Sequence, residues 1–187
     1  MTAGDLYTQA MASTQRYIDG VRAAQWPDPT PCTEWDVKQV ANHVIGENLW
    51  AGELFNGRTI AQVGTRFDGD LTGDDPAAAY RQSVDAARSS VQAPGAMDTT
   101  CHLSFGDVPG AEYAAQLFMD LLIHGWDIAK ATGQDTRLDA DLVAACLPIA
   151  QQMTSQFRSA GVFGEDLPVA PDADAQVRLL ALVGRRA

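Results

Sequence analysis

Apolar residues recur along most of this chain at intervals of three and four, the spacing at which 3.6 residues per turn returns side chains to one face of an α-helix. Leu6, Ala10, Tyr17, Ile18 and Val21 trace the first such stripe and predict a helix from about Leu6 to Ala24, with Asp5 as its cap. Trp26-Pro-Asp-Pro-Thr-Pro-Cys32 follows; its alternate prolines each fix φ and remove a backbone donor, so a stiff, extended connection is expected. Thr33-Glu-Trp-Asp36 resembles a capping box with Asp in place of Glu or Gln, and it opens a second helix that runs to about Phe55, just before Asn56-Gly57. Along that helix Asp36, Val40, His43, Glu47 and Trp50 share a face, which sets His43 among core-facing residues.

From Arg58 to Gly73 the periodicity lapses into Gly, Thr, Arg and Asp, a surface loop that could border the mouth of a site. Asp74-Asp75-Pro76 starts a third helix, with proline at the first helical position, and it ends near Pro94-Gly95. Its face of Ala79, Ser83, Ala86, Ala87 and Ser90 is small enough for close helix packing. Residues 96–110 are rich in β-branched and turn residues and predict a non-helical crossover, an extended excursion or short hairpin. The long central helix runs from about Pro109 to Thr132 and is closed by Gly133, with Lys130 in its last turn matching the helix dipole. A fifth helix is expected from Asp139 to about Ala160, kinked or loosened at Pro148, then a turn-rich strap over 161–171 and a last short helix from about Asp172 to Val183. Four long amphipathic segments in a mostly helical chain predict an all-α bundle, and 187 residues fit a single domain, 1–187.

Charge narrows the partners. With 24 Asp and Glu against 13 Lys and Arg, the formal charge is -11, which repels phosphate backbones and anionic lipid, so neither nucleic acid nor membrane is an expected partner. No basic and apolar leader opens the chain, and a cytoplasmic protein is expected. Cys32, Cys101 and Cys146 are odd in number, far apart and outside any C-x-x-C pair, which suits reduced thiols; none needs a functional role.

The chemistry concentrates on the central helix, where Asp120, His124 and Asp127 lie at i, i+4 and i+7 on one face, ringed by Leu117, Phe118, Leu121, Leu122, Ile128 and Ala129. A carboxylate in such surroundings is costly unless paired or bound to a cation. Two readings stand on the residues alone: half of a metal site, or a buried Asp–His hydrogen bond with no ion. If the second and central helices are neighbours, His43 reaches the depth of Asp120 and His124, and two imidazoles with a carboxylate suit zinc or another borderline divalent ion with a position left open for water or substrate. Glu47, one turn beyond His43, could add a fourth ligand or an acid–base group. Asp127 could orient an imidazole or simply tie the helix to a loop. His102, in the crossover beside Cys101, is left out of the site. No glycine-rich phosphate loop, nucleophile elbow or dinucleotide fingerprint is present.

Thr30-Pro-Cys-Thr-Glu-Trp-Asp-Val37, Asn42-His-Val-Ile-Gly46, Phe105-Gly-Asp-Val-Pro-Gly110 and Asp120-Leu-Leu-Ile-His-Gly-Trp-Asp-Ile-Ala-Lys-Ala-Thr-Gly133 together resemble the DinB-like superfamily. More closely, with Phe163-Gly and the segment from Asp172 to Arg185, the chain is similar to the actinobacterial metal-binding proteins grouped with the N-terminal domain of mycothiol-dependent maleylpyruvate isomerase. The resemblance implies a DinB-like four-helix bundle with a short additional C-terminal helix, holding a divalent metal, zinc first and nickel second, through a His on the second helix and two ligands four residues apart on a later one. Those positions match His43, Asp120 and His124; the isomerase carries Glu where Asp120 stands. It implies mycothiol as a cosubstrate, held as a thiolate by the metal and delivered to a small electrophile by a transferase or isomerase. The isomerase's C-terminal domain is expected to be lacking here. The other implied reading is a non-catalytic metal-binding or small-molecule-binding helical protein that works as a homodimer.

Overall fold

The Thr2 hydroxyl accepts the Asp5 amide while the Asp5 carboxylate accepts the Thr2 amide, and this reciprocal box starts α1 (Ala3–Asp19). Asp5 is therefore the third helical residue and not the cap. The helix stops at Gly20, short of the expected Ala24, because Gln134 comes in against it: a Cβ on Gly20 would stand 2.3 Å from the Gln134 side-chain oxygen. The Gln134 amide also donates to the Tyr17 carbonyl at 2.9 Å, satisfying an acceptor that the ended helix leaves open. The structure, a computed structural model, describes residues 1–157 and 166–187.

The Pro-rich connection is ordered as its composition predicts. The Thr30 hydroxyl donates to the Trp35 carbonyl at 2.8 Å and the Trp35 amide to the Cys32 carbonyl at 2.8 Å, so residues 30–35 close into a turn. That turn consumes Thr33-Glu-Trp, and the helix begins one box later than expected. Asp36 accepts the Gln39 amide and Gln39 accepts the Asp36 amide at the head of α2 (Val37–Leu54). The expected loop after it contains one short helix, α3 (Ile60–Val63). Asn42 pins the rest beside α2, donating to the Gly69 carbonyl at 3.1 Å and accepting the Leu71 amide at 2.6 Å.

Asp75 caps α4 (Pro76–Val91), with proline at its start as predicted. The crossover is a hairpin, β1 (Thr100–Leu103) against β2 (Gly106–Pro109), antiparallel with Leu103 opposite Gly106. It leads directly into α5 (Gly110–Thr132), which Gly133 closes at φ 70°, a left-handed conformation that favours glycine. Helix α1 lies against α5 and α4, and α2 lies against α4 and α5. This closed ring of four long helices is the expected bundle, all within the compact unit Met1–Gln134.

Tyr7, Met11, Ile45, Tyr80, Phe118, Leu121 and Trp126 fill its interior. Polar ties cross it as well. Buried Tyr7 donates to the Asn48 side-chain oxygen at 2.6 Å, and the Asn48 amide donates to Ser83 at 3.1 Å, so one asparagine links α1, α2 and α4. Asn48→Ala is expected to cost about 1–3 kcal/mol, because the Tyr7 hydroxyl is left buried without its acceptor. Urea denaturation compared with a Tyr7→Phe, Asn48→Ala double variant checks this: the double variant should lose less than the two single changes summed.

The second unit, Asp135–Ala187, contains α6 (Ala140–Phe157) and α7 (Ala175–Leu182), which pack together. Asp139 accepts the Asp141 and Leu142 amides and so caps α6 as expected, and the helix continues through Pro148. Asp174 caps α7, two residues past the predicted Asp172 start. The expected end of the fifth helix at Ala160, the first half of the strap and the Phe163-Gly motif lie outside the described residues. No described helix is long and apolar enough to cross a membrane.

Candidate metal centre and its surroundings

His43 sits near the middle of α2, and Asp120 and His124 near the middle of α5, and the packing of those helices brings the three side chains together. The His43 Nε2 lies 3.1 Å from one Asp120 carboxylate oxygen and the His124 Nε2 lies 3.5 Å from the other. The two imidazoles meet edge to face at 5.0 Å between centroids. One ligand atom from each of the three residues falls within 4.8 Å of the others. Two imidazole nitrogens and a carboxylate oxygen form the mixed donor set that borderline divalent ions take, so the residues present fit such an ion.

Asp127, left open between an orienting role and a surface tie, is wholly buried and 3.1 Å from the His124 Nδ1. A carboxylate there favours the tautomer with a proton on Nδ1 and a lone pair on Nε2, the nitrogen that faces Asp120. His102 stands on the hairpin, paired with Asp107 at 2.8 Å. Glu47 belongs to no described ligand cluster.

Two nearby residues carried no signal in the periodicity. The Trp35 ring packs on both imidazoles, at 4.8 Å from His43 and 5.7 Å from His124. Cys32, three residues earlier, places its sulfur within 4.8 Å of ligand atoms of His124 and Asp127. The one available clue was the Pro-rich segment's rigidity together with its position just ahead of the helix that carries His43.

Burial alone would lower the His43 pKa, but the Asp120 charge, their hydrogen bond and the Glu47 charge outweigh it and raise it to about 9. Burial, with repulsion from Asp120, raises Glu47 to about 7 against the pull of His43 and His124. In both cases the folded chain holds a proton that the unfolded chain gives up at lower pH. Stability of the metal-free protein should therefore fall as pH rises, through about 4.5 to 7 on account of Glu47 and about 6.5 to 9 on account of His43. Thermal melts in chelator across pH 5 to 9 check the sign, and the upper part of the slope should vanish in His43→Gln.

Two cavities flank the centre. One of about 560 Å³ is lined by Trp35, Lys38, Gln39, Asn42, His43 and Asp70 among others. The other, about 250 Å³, runs from Glu47 past Trp50, Leu54 and Tyr113 to the hairpin residues Leu103 and Phe105. At the rim of the first, Lys38 and Asp70 pair at 2.8 Å, and the second mixes the Glu47 and Gln116 side chains with apolar ones.

The family model of the mycothiol maleylpyruvate isomerase N-terminal domain matches residues 7–129. This chain belongs to that family. An uncharacterized protein of Mycobacterium tuberculosis (strain ATCC 25618 / H37Rv) is 35% identical over 170 residues, covering 90% of this chain and 89% of its own length. Its counterpart in strain CDC 1551 / Oshkosh matches to the same extent. Among solved structures, the mycothiol-dependent maleylpyruvate isomerase shares the fold with a TM-score of 0.65 at 16% identity, and a His-to-Ala mutant of it with a TM-score of 0.66. Both alignments take in 96% of this chain and 87% of the isomerase chain. The likeness in fold extends over most of the isomerase chain. Membership in the mycothiol maleylpyruvate isomerase N-terminal domain family bears out the resemblance read from the motifs, and with the bundle of α1, α2, α4 and α5 it establishes the all-α, DinB-like fold.

Proposed function

We propose that this chain binds one divalent ion, zinc first and nickel second, through His43, Asp120 and His124, and that it uses a small thiol, mycothiol, in a transferase or isomerase reaction on an electrophile. The observation that carries this reading is the convergence of those three donors beside an open cavity, in a family whose name attaches mycothiol to it. The whole chain, 1–187, is taken as one functional domain, with the site on its first unit.

When bound, such an ion would supply the positive charge that keeps a coordinated thiol deprotonated at neutral pH. The chain's own groups divide the remaining work. Asp127 holds the His124 ring with Nε2 turned toward Asp120. Trp35 packs against both rings and limits how far they can turn. Lys38, Gln39 and Asn42 offer donors and acceptors in the larger cavity, suited to the polar body of a thiol carrier. Glu47, lining the smaller cavity and with its carboxyl raised to about 7, is placed to give or take a proton near neutral pH.

The test is turnover of an electrophile such as maleylpyruvate or monochlorobimane by metal-loaded protein, with and without mycothiol. Turnover that requires both metal and mycothiol is expected. Stoichiometric metal with no turnover of any electrophile would reduce the chain to a metal-binding or small-molecule-binding protein, monomeric or homodimeric.

A further inference from the structure

Beyond the ligand set of His43, Asp120 and His124, a second cluster lies on the other edge of the same imidazole. Cys32, His124 and Asp127 also bring one ligand atom each within 4.8 Å of one another. Its members come from two rigid sources. Cys32 is fixed by the turn ahead of α2, where its amide donates to the Thr30 hydroxyl at 3.1 Å and its carbonyl accepts the Trp35 amide. His124 and Asp127 are successive inward positions of α5, 8% and 0% exposed.

We propose that Cys32, His124 and Asp127 form a second cation position, softer than the first, which competes with it for His124. The His124 ring turns Nε2 toward Asp120 and Nδ1 toward Asp127. A neutral imidazole has one lone pair and one N–H, so it serves one ligand set at a time. With the proton on Nδ1, Nε2 is open to the first set. An ion held by the Cys32 sulfur, Nδ1 and the Asp127 carboxylate requires the other tautomer, in which the ring proton sits on Nε2 and faces Asp120 Oδ1 at 3.5 Å. The Cys32 thiol gives its proton to solvent as the ion binds, because the thiolate is the ligating form.

Replacing a carboxylate and an imidazole by a thiolate and a carboxylate shifts the preference toward soft ions such as cadmium, whereas the first set favours borderline zinc or nickel. Metal-like spacing about tetrahedral zinc, with ligand bonds of roughly 2.0–2.3 Å, needs the three atoms to draw in somewhat from where they stand. Rotation about the Cys32 side chain serves for that.

Cadmium titration of the purified, reduced protein, followed by thiolate-to-cadmium absorption in the ultraviolet, tests the second set. The band is expected in the parent protein and in His43→Ala, which disrupts only the first set, and should be absent in Cys32→Ser. Cys32→Ser should weaken cadmium by more than the roughly 10–100-fold that loss of an outer partner costs, while leaving zinc affinity nearly unchanged. Circular dichroism of each variant confirms the fold. A parent protein without the band, or a Cys32→Ser protein that keeps it, overturns the second position. If zinc is still retained in either case, the first ligand set stands; loss of zinc from the parent with the cadmium band intact would sink the first set and leave the second.

Discussion

His43→Ala and His124→Ala are each expected to emerge from zinc loading and desalting without retained metal, where the parent chain keeps a stoichiometric amount. The expectation follows from the small number of donors. The first ligand set contains three protein atoms, and deleting one leaves two, on a site that already needs the His43 proton to leave from a pKa of about 9. Each variant should also lose any mycothiol-dependent turnover. The two differ in what remains. His43→Ala strips Asp120 of the partner 3.1 Å away but keeps the His124–Asp127 pair, whereas His124→Ala leaves the fully buried Asp127 without its imidazole. His124→Ala should consequently be the less stable of the two, because it takes a hydrogen-bond partner from a fully buried carboxylate, whereas the Asp120 carboxylate that loses His43 is partly exposed. Elemental analysis of the desalted proteins decides the metal claim. Metal retained by both variants would remove this ligand set.

Gly110→Ala is expected to be among the most damaging single methyl additions in the chain. A Cβ there would lie 2.0 Å from the Ala96 carbonyl oxygen and 3.1 Å from Phe55, and the Gly110 amide is meanwhile held by the Thr99 carbonyl at 2.7 Å. The obstacle is backbone and cannot rotate away, so the hairpin or the head of α5 must shift. Overpacking of this kind costs about 3 kcal/mol at its upper end, which in a chain of this size is roughly a 6–12 °C fall in melting temperature. Gly46→Ala is the matched control. Its Cβ would meet only the Leu71 side chain at 3.5 Å, an ordinary contact, and a helical glycine replaced by alanine gains about 1 kcal/mol. Differential scanning calorimetry should therefore find opposite signs for two changes of identical chemistry.

The helices were legible because each carries a stripe that only one period explains, and the breaks between them fall at Pro27, Asn56-Gly57, Pro94-Gly95 and Gly133. Their first residues were less so. Thr33-x-x-Asp36 and Asp36-x-x-Gln39 are overlapping boxes, and the choice between them is made by the Thr30 hydroxyl, which ties Trp35 into a turn that no periodicity reports. Asp120 and His124 could be picked out because i, i+4 spacing on an apolar face is itself an anomaly, and His43 because it breaks the core face of α2. Cys32 and Trp35 could not, since an extended segment has no face until a tertiary structure gives it one. The same limit hid the link between Gln134 and the end of α1, which joins residues 117 positions apart.

The indole of Trp35, one of four tryptophans in the chain, touches both imidazoles and so gives the centre its own optical gauge. A paramagnetic cation such as cobalt or nickel arriving between those rings would drain its excited state, dimming the ultraviolet emission of the whole molecule by the share that this one fluorophore contributes. With Trp35→Phe as the dark reference, occupancy could be followed in real time in untagged material.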